Sequence, residues 1–324
     1  MKLLYHLQWE GAAIAPLQDR HPDVSFVVSR SAEQTVRELA DADILVVAGP
    51  YYRGEVARAA KAAAPKLRWI QTTSIGVDRF EEAGLPDGVV FTNAAGLKGR
   101  TVAEHTIALL LAQLHAVPQM ERARAAGHWA RDALRSQVSS AEGRRLLLLG
   151  YGSIGQEVAR KAKAFDMEVV ALNRSGDGGP PADVVAPVTA VGEWLPKADF
   201  VVCTLPLTAE TRHLLGRQQL AAMKPEALLV NVGRGPVVDQ AALAEALEKK
   251  RIAGACLDVF DAEPLPPGDP LWRQENLVLS PHVAGTGGPQ AQRFAELVSE
   301  NLSRFTDGRP LINEVKLGAP QENV

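Results

Sequence analysis

The chain has 324 residues, 35 Lys+Arg against 38 Asp+Glu, a formal net charge of −3, and 46% hydrophobic residues. This composition suits a globular chain of about two domains, at roughly 100–200 residues each. It carries no electrostatic footprint for nucleic acid or an anionic membrane. The longest strongly apolar stretch, Ile107 to Ala112, is far short of the ~20 residues that cross a bilayer. The N-terminus has no export signature. Cys203 and Cys256 lie in apolar runs and read as reduced core residues, so a cytoplasmic protein without disulfides is expected.

Short β-rich runs alternate with alanine-rich stretches. Strands are predicted at Leu3–Leu7, Ser25–Val28, Ile44–Ala48, Leu67–Thr72 and Val89–Thr92, with helices at Ala32–Ala40 and Glu55–Ala64. That alternation argues for a parallel sheet covered by helices on both faces. A long apolar helix follows from about Thr101 to Met120, with Thr101 and Glu104 spaced as a capping box. A second αβ series then runs through strands Arg145–Leu149, Glu168–Leu172, Phe200–Thr204, Leu228–Asn231, Gly254–Asp258 and Leu277–Leu279. Its helices are predicted at Ile154–Ala164 and Gln240–Lys249, and a last helix at Gln290–Phe305 stops at Asp307-Gly308. The last helix and tail are not needed to complete the second sheet. The expected division is therefore discontinuous, residues 1–98 plus 285–324 against residues 99–284.

Gly150-Tyr-Gly152-Ser153-Ile154-Gly155 follows the run Leu146–Leu149 and opens a helical pattern. A G-x-G-x-x-G match alone is weak, but between strand and helix each glycine has a task. The first permits a tight turn, the second admits a pyrophosphate, and the third packs helix on strand. Amides from Ser153 and Ile154 onward can face the phosphate charge. The ribose acceptor belongs at the end of the next strand, about 20 residues on. Asn173-Arg174-Ser175 stands there. An NAD site usually has a carboxylate at that place, which repels a 2′-phosphate. Asn173 removes the repulsion, and Arg174 offers a guanidinium unless Asp177 competes for it. NADP(H) is expected in preference to NAD(H).

Three more segments each begin beyond a predicted strand. They are Asn231-Val232-Gly233-Arg234, Leu257-Asp258 leading to Glu263-Pro264, and Ser280-Pro281-His282 leading to Gly285. Each group alone has an ordinary explanation: a surface Arg, a loop-starting Glu-Pro, a structural His. Together they are what hydride transfer to a keto acid requires. With the glycine turn they resemble the D-isomer-specific 2-hydroxyacid dehydrogenase family over nearly the whole chain. The resemblance also takes in Trp69–Asp78, Thr92–Gly96, Val102–His105 and Leu205-Pro206-Leu207-Thr208-Ala209-Glu210-Thr211.

The resemblance implies a flavodoxin-like substrate domain and a Rossmann cofactor domain, with the catalytic groups in the cleft. It implies that Arg234 holds the substrate carboxylate, His282 exchanges the proton and Glu263 orients the imidazole. Asp258 would meet the nicotinamide carboxamide, and Leu205, Pro206, Thr211, Val232 and Gly285 would complete the cofactor site. Ser74-Ile75-Gly76 matches the family's carboxylate loop, and Tyr51 and Tyr52 fall where substrate-contacting residues often stand. His105 is expected to be structural, and Gly127-His128-Trp129 lies in the segment exchanged by family dimers, which implies a homodimer. The implied activity is oxidoreduction of a small 2-keto or D-2-hydroxy acid with a nicotinamide cofactor. Glyoxylate and hydroxypyruvate are the favoured substrates. A D-lactate- or phosphoglycerate-type enzyme is the alternative, as is a non-catalytic dinucleotide-sensing protein like the corepressors of this fold. No metal is expected.

Overall fold

The structure, a computed structural model, describes residues 1–6, 15–63 and 65–317. The chain divides into two units, Met1–Lys98 with Gly287–Val324, and Gly99–Thr286. Among the described residues each unit is built on one parallel sheet with helices around it.

The first unit contains β1 (Lys2–His6), β2 (Ser25–Ser29), β3 (Ile44–Val47), β4 (Trp69–Thr72) and β5 (Val90–Thr92), in the order β2-β1-β3-β4-β5. This is the flavodoxin-like order. Every residue of β3 and β4 is buried, as expected where helices cover both faces of a parallel sheet. One cover is the C-terminal helix Gln290–Thr306. Its Phe294, Val298 and Leu302 recur at helical spacing and pack on Leu3, Tyr5, Ile44, Val46 and Trp69. It stops at Asp307, followed by Gly308 at φ +68. The predicted ends at Leu7 and Ala64 lie outside the described residues.

The second unit contains β6 (Arg145–Leu149), β7 (Glu168–Asn173), β8 (Val184–Pro187), β9 (Phe200–Cys203), β10 (Leu228–Asn231), β11 (Gly254–Leu257) and β12 (Leu277–Leu279). Their order is β12-β11-β10-β9-β6-β7-β8, all parallel. The winding reverses between β6 and β9, which is the switch point where open α/β sheets bind ligands. Cys203 and Cys256 are unpaired and buried, and burial pushes both thiols up to about 12.

Two expectations change. The long helix spans Gly99–Leu114 and a separate one spans Val117–Ala125, with Ala116 between them at φ +54. Pro118 explains the break, because its ring would meet the carbonyl four residues back, at Leu114, and it offers no N–H. The start moves as well, so Thr101 sits inside the first turn rather than capping it. A Cβ at Gly99 would lie 3.0 Å from the Ser153 carbonyl oxygen, so the first residue of this helix packs closely on the helix Ser153–Lys163. The sequence pattern also missed β8 and the short helices Ala15–Arg20, Asp78–Ala83, Arg131–Arg135, Val191–Trp194 and Arg217–Ala222. β8 is a half-exposed edge strand ending in proline, and so lacks the apolar run that marks the central strands.

The tightest contact in the glycine turn sets a stability test. A Cβ on Gly155 would fall 2.2 Å from the Gly150 carbonyl oxygen, which forces backbone to move. Gly155→Ala should therefore cost about 1–3 kcal/mol, the usual penalty of overpacking. Urea denaturation of the cofactor-free protein measures it, and an unchanged midpoint would show that the turn yields freely.

Candidate active site

The glycine turn connects β6 to the helix Ser153–Lys163. Gly150 has φ +103, and a Cβ there would lie 2.7 Å from Thr204 Oγ1. With the crowding at Gly155, both outer glycines are required by the protein's own atoms. Gly152 differs: a Cβ there would meet nothing within 4 Å. The space beside it is open, and the first amides of the helix have no intrahelical carbonyl to bind. An open cradle at a helix N-terminus fits a pyrophosphate.

At the end of β7, Asn173 builds the loop that follows it. Its Oδ1 accepts from Gly176 N at 2.6 Å and its Nδ2 donates to the Asp177 carbonyl at 2.7 Å. Ser175 Oγ accepts from Asp177 N at 3.2 Å. Arg174 is exposed and forms no ion pair with Asp177 among the described residues, while its charge helps to lower the Glu210 carboxyl. Leu205 follows β9 and is sandwiched by its backbone between the turns of Gly150 and Gly233, while its side chain is buried. Val232 is likewise buried. Thr211 Oγ1 donates to the Pro206 carbonyl at 2.7 Å, fixing the shape of that loop.

Arg234 lies beyond β10. Asn231 holds this segment by donating to the Arg234 carbonyl at 3.0 Å and accepting from Gly233 N at 3.1 Å. The next residue, Gly235, abuts the loop after β11, where a Cβ would lie 2.0 Å from the Phe260 carbonyl carbon. The Phe260 amide in turn donates to Glu263 Oε1 at 3.0 Å. Glu263 Oε2 meets His282 Nδ1 at 2.6 Å. His282 stands beyond β12 at φ +54 with its side chain 53% exposed, and Gly285 follows it.

The buried Asp258 carboxylate braces the histidine's loop. Oδ1 accepts from Ser280 Oγ and from Val283 N at 2.9 Å, and Oδ2 from Ala284 N at 3.0 Å. This leaves one lone-pair direction on Oδ2 for a further donor. His105 Nε2 lies 2.9 Å from Ser280 Oγ, which makes it a structural support of the same loop.

The Glu263 hydrogen bond raises the His282 pKa above its ordinary value, against the opposing effect of burial. Burial pushes Glu263 up, but its bonds to His282 and to the Phe260 amide outweigh this and hold it below the ordinary carboxylate range. With Nδ1 committed to Glu263, Nε2 is the nitrogen left to exchange a proton. No group of three or more His, Cys, Asp or Glu among the described residues is arranged to hold a metal ion. No helix among them is long and apolar enough to cross a membrane.

In the first unit, Ser74-Ile75-Gly76 follows β4 and is partly exposed. The Ser74 carbonyl accepts from Ala94 N at 2.9 Å and the Ile75 carbonyl from Asn93 Nδ2 at 3.0 Å. The Ile75 and Gly76 amides have no acceptor among the described residues. Tyr51 is half-buried against His6, with ring centroids 5.2 Å apart. Tyr52 does not match its expectation. It is 0% exposed, stacks on Phe80 and donates to the Gly84 carbonyl, so it belongs to the core and not to a substrate loop. Two adjacent tyrosines gave no sequence signal for which one turned inward.

A family model described as "D-isomer specific 2-hydroxyacid dehydrogenase, NAD binding domain" matches residues 107–284. A glyoxylate reductase of Korarchaeum cryptofilum is 39% identical over 76% of this chain and 75% of its own length. A D-isomer specific 2-hydroxyacid dehydrogenase family protein of Aeromonas salmonicida has a similar structure, with TM-score 0.85 and 31% identity over 98% of this chain and 99% of that one. An NADPH-dependent glyoxylate/hydroxypyruvate reductase of Sinorhizobium meliloti superposes with TM-score 0.76 and 26% identity, over 97% of each chain. The chain belongs to the D-isomer specific 2-hydroxyacid dehydrogenase family, whose members are nicotinamide-dependent oxidoreductases.

Proposed function

We propose that this protein reduces a small 2-oxo acid, glyoxylate to glycolate or hydroxypyruvate to D-glycerate, with NADPH preferred over NADH. The observation that carries the reading is the 2.6 Å contact between His282 and Glu263, in the unit that also carries Arg234 and the glycine turn. The substrate choice is supported by the names of the Korarchaeum and Sinorhizobium relatives. The cofactor preference is supported by Asn173 in place of a carboxylate, by the exposed Arg174 and by the Sinorhizobium relative's NADPH dependence. Residues 1–98 and 285–324 form the substrate domain and residues 99–284 the cofactor domain in this reading. Two buried free thiols suit a reducing cytoplasm.

Gly150, Gly152, Ser153, Ile154 and Gly155 would hold the pyrophosphate, and Arg174 with Ser175 the adenosine ribose phosphate. Leu205, Pro206, Thr211, Val232 and Gly285 would line the cofactor, and the spare lone pair of Asp258 would take the carboxamide. When bound, the nicotinamide supplies the hydride. Arg234 holds the substrate carboxylate with its planar fork and polarises the keto oxygen. In the first unit, Ser74, Ile75 and Gly76 are the candidate carboxylate loop of this reading, and the Ile75 and Gly76 amides have no acceptor among the described residues. His282 Nε2 gives its proton to the keto oxygen as charge develops there, and Glu263 keeps the imidazole oriented and charged until then. Oxidation reverses the proton's path.

A panel of 2-keto acids crossed with NADH and NADPH tests the whole reading. Nucleotide binding with no turnover across the panel would favour a sensing role instead.

Three results should follow. Reduction needs protonated His282, and Glu263 raises its pKa, so activity should decline only as pH climbs through that raised value. Glu263→Gln should move the falling limb of kcat/KM to lower pH, while His282→Ala should lower turnover by about 10²–10⁴-fold. An unmoved limb, with chemistry rate-limiting, would remove Glu263 from that role. Arg174→Ala should weaken NADPH by about 1.5–3 kcal/mol and NADH far less, as competition titrations would show. Equal losses would exclude a 2′-phosphate contact. Exposed Val117, Met120, Trp129 and Val138, with Trp129 87% exposed, support pairing with a second copy. Sedimentation velocity should then return a dimer, and a monomer at micromolar concentration would rule it out.

A further inference from the structure

Tyr151 occupies the variable position inside the glycine turn, and none of the chemistry above uses it. Its side chain is only 7% exposed. The hydroxyl donates to the Gly179 carbonyl at 2.6 Å and accepts from Ala182 N at 2.8 Å. Both bonds therefore reach forward to the segment between β7 and β8. Burial pushes the Tyr151 pKa up, so the hydroxyl keeps the proton it donates. The ring supports the same segment: a Cβ on Gly178 would lie 3.2 Å from Tyr151 Cδ1 and 3.1 Å from Val185 Cγ2.

The segment is fixed at its other end as well. Asn173 closes residues 173–177 through its two amide bonds. Gly176, at φ +78, presses on β8, where a Cβ would lie 2.9 Å from Pro187 Cδ. Asn173 thus ties the start of the loop and Tyr151 its finish. Arg174 and Ser175 are exposed residues between these two ties, and Ser175 Oγ is held by the Asp177 amide at 3.2 Å.

We propose that Tyr151 is a positioning residue for cofactor selection, its hydroxyl clasping the Asn173–Ala182 loop to the glycine turn so that Arg174 and Ser175 are presented to the 2′-phosphate of NADPH. This rests on the NADPH preference proposed above. A loop ordered before binding spares the cofactor the entropy of ordering it. NADH, which lacks the phosphate, draws far less from that arrangement. The pyrophosphate turn and the ribose loop are then one structure joined by a phenol.

Tyr151→Phe removes one oxygen and keeps the ring. Binding of NADPH, NADH, 2′,5′-ADP and 5′-AMP to the wild type and the variant is measured by titration, with melting temperature as the check on folding. The expected result is a loss of about tenfold in the preference for 2′,5′-ADP over 5′-AMP, the value of one hydrogen bond to a buried partner. The NADPH-to-NADH preference should fall equally, and amide exchange should speed up at residues 176–179 and at Ala182. If Tyr151→Phe does not fold, Gly178→Val makes the same measurement from the loop side, lifting the loop from the ring. A folded variant that keeps the full phosphate preference, or loses both cofactors equally, overturns the proposal while leaving the NADPH reading intact. A wild type that does not discriminate 2′,5′-ADP from 5′-AMP overturns both, before any variant is made.

Discussion

The placement of the loop that carries His282 depends on the buried carboxylate of Asp258. Just beyond β11, it accepts hydrogen bonds from Ser280, Val283 and Ala284 and so draws the loop after β12 towards its own strand. A carboxylate taken out of water must be repaid by donors, and these donors come from the two sides of His282. The histidine's own amide donates to the Ser280 carbonyl at 3.0 Å, and at a positive φ its ring turns to Glu263. One desolvated charge thereby sets the position of a residue that must remain accessible.

Two kinds of interaction share the work. Backbone geometry places groups: parallel strands deliver Arg234, Glu263 and His282 from the carboxyl ends of β10, β11 and β12, which are neighbours in the sheet. Electrostatics then tunes them. The hydrogen bond across the pair raises His282 and the same bond lowers Glu263 against its burial. The pair is partly exposed, so solvent screens its contribution to folding. Its effect is on the protonation state.

Much of this was legible in the sequence, because periodicity and turn chemistry are local. Leu146–Leu149 followed by three spaced glycines announces a strand, a turn and a helix, and the structure adds only why Gly150 and Gly155 are obligatory while Gly152 faces open space. The groups that carry chemistry sit just past strands, where residue type and position together carry the signal. What was hidden depends on which partner each residue meets, near or far along the chain. Tyr52 turns inward because Phe80 and Gly84 receive it. The long helix packs its first residue, Gly99, on Ser153, and ends where Pro118 meets Leu114. Asn173 is a loop builder as well as a missing carboxylate, a role visible only once Gly176 and Asp177 are beside it.

The approach of Gly235 to Phe260 has a mechanical consequence. With no room for even a methyl group between them, the loops after β10 and β11 bear on each other like two plates in contact. Close-packed matter transmits displacement and absorbs little of it. A fluctuation that shifts Arg234 therefore carries along the Phe260 amide, and with it Glu263 and the imidazole it holds. Arg234 and His282 then drift as one body, and the spacing between them is better conserved than the position of either.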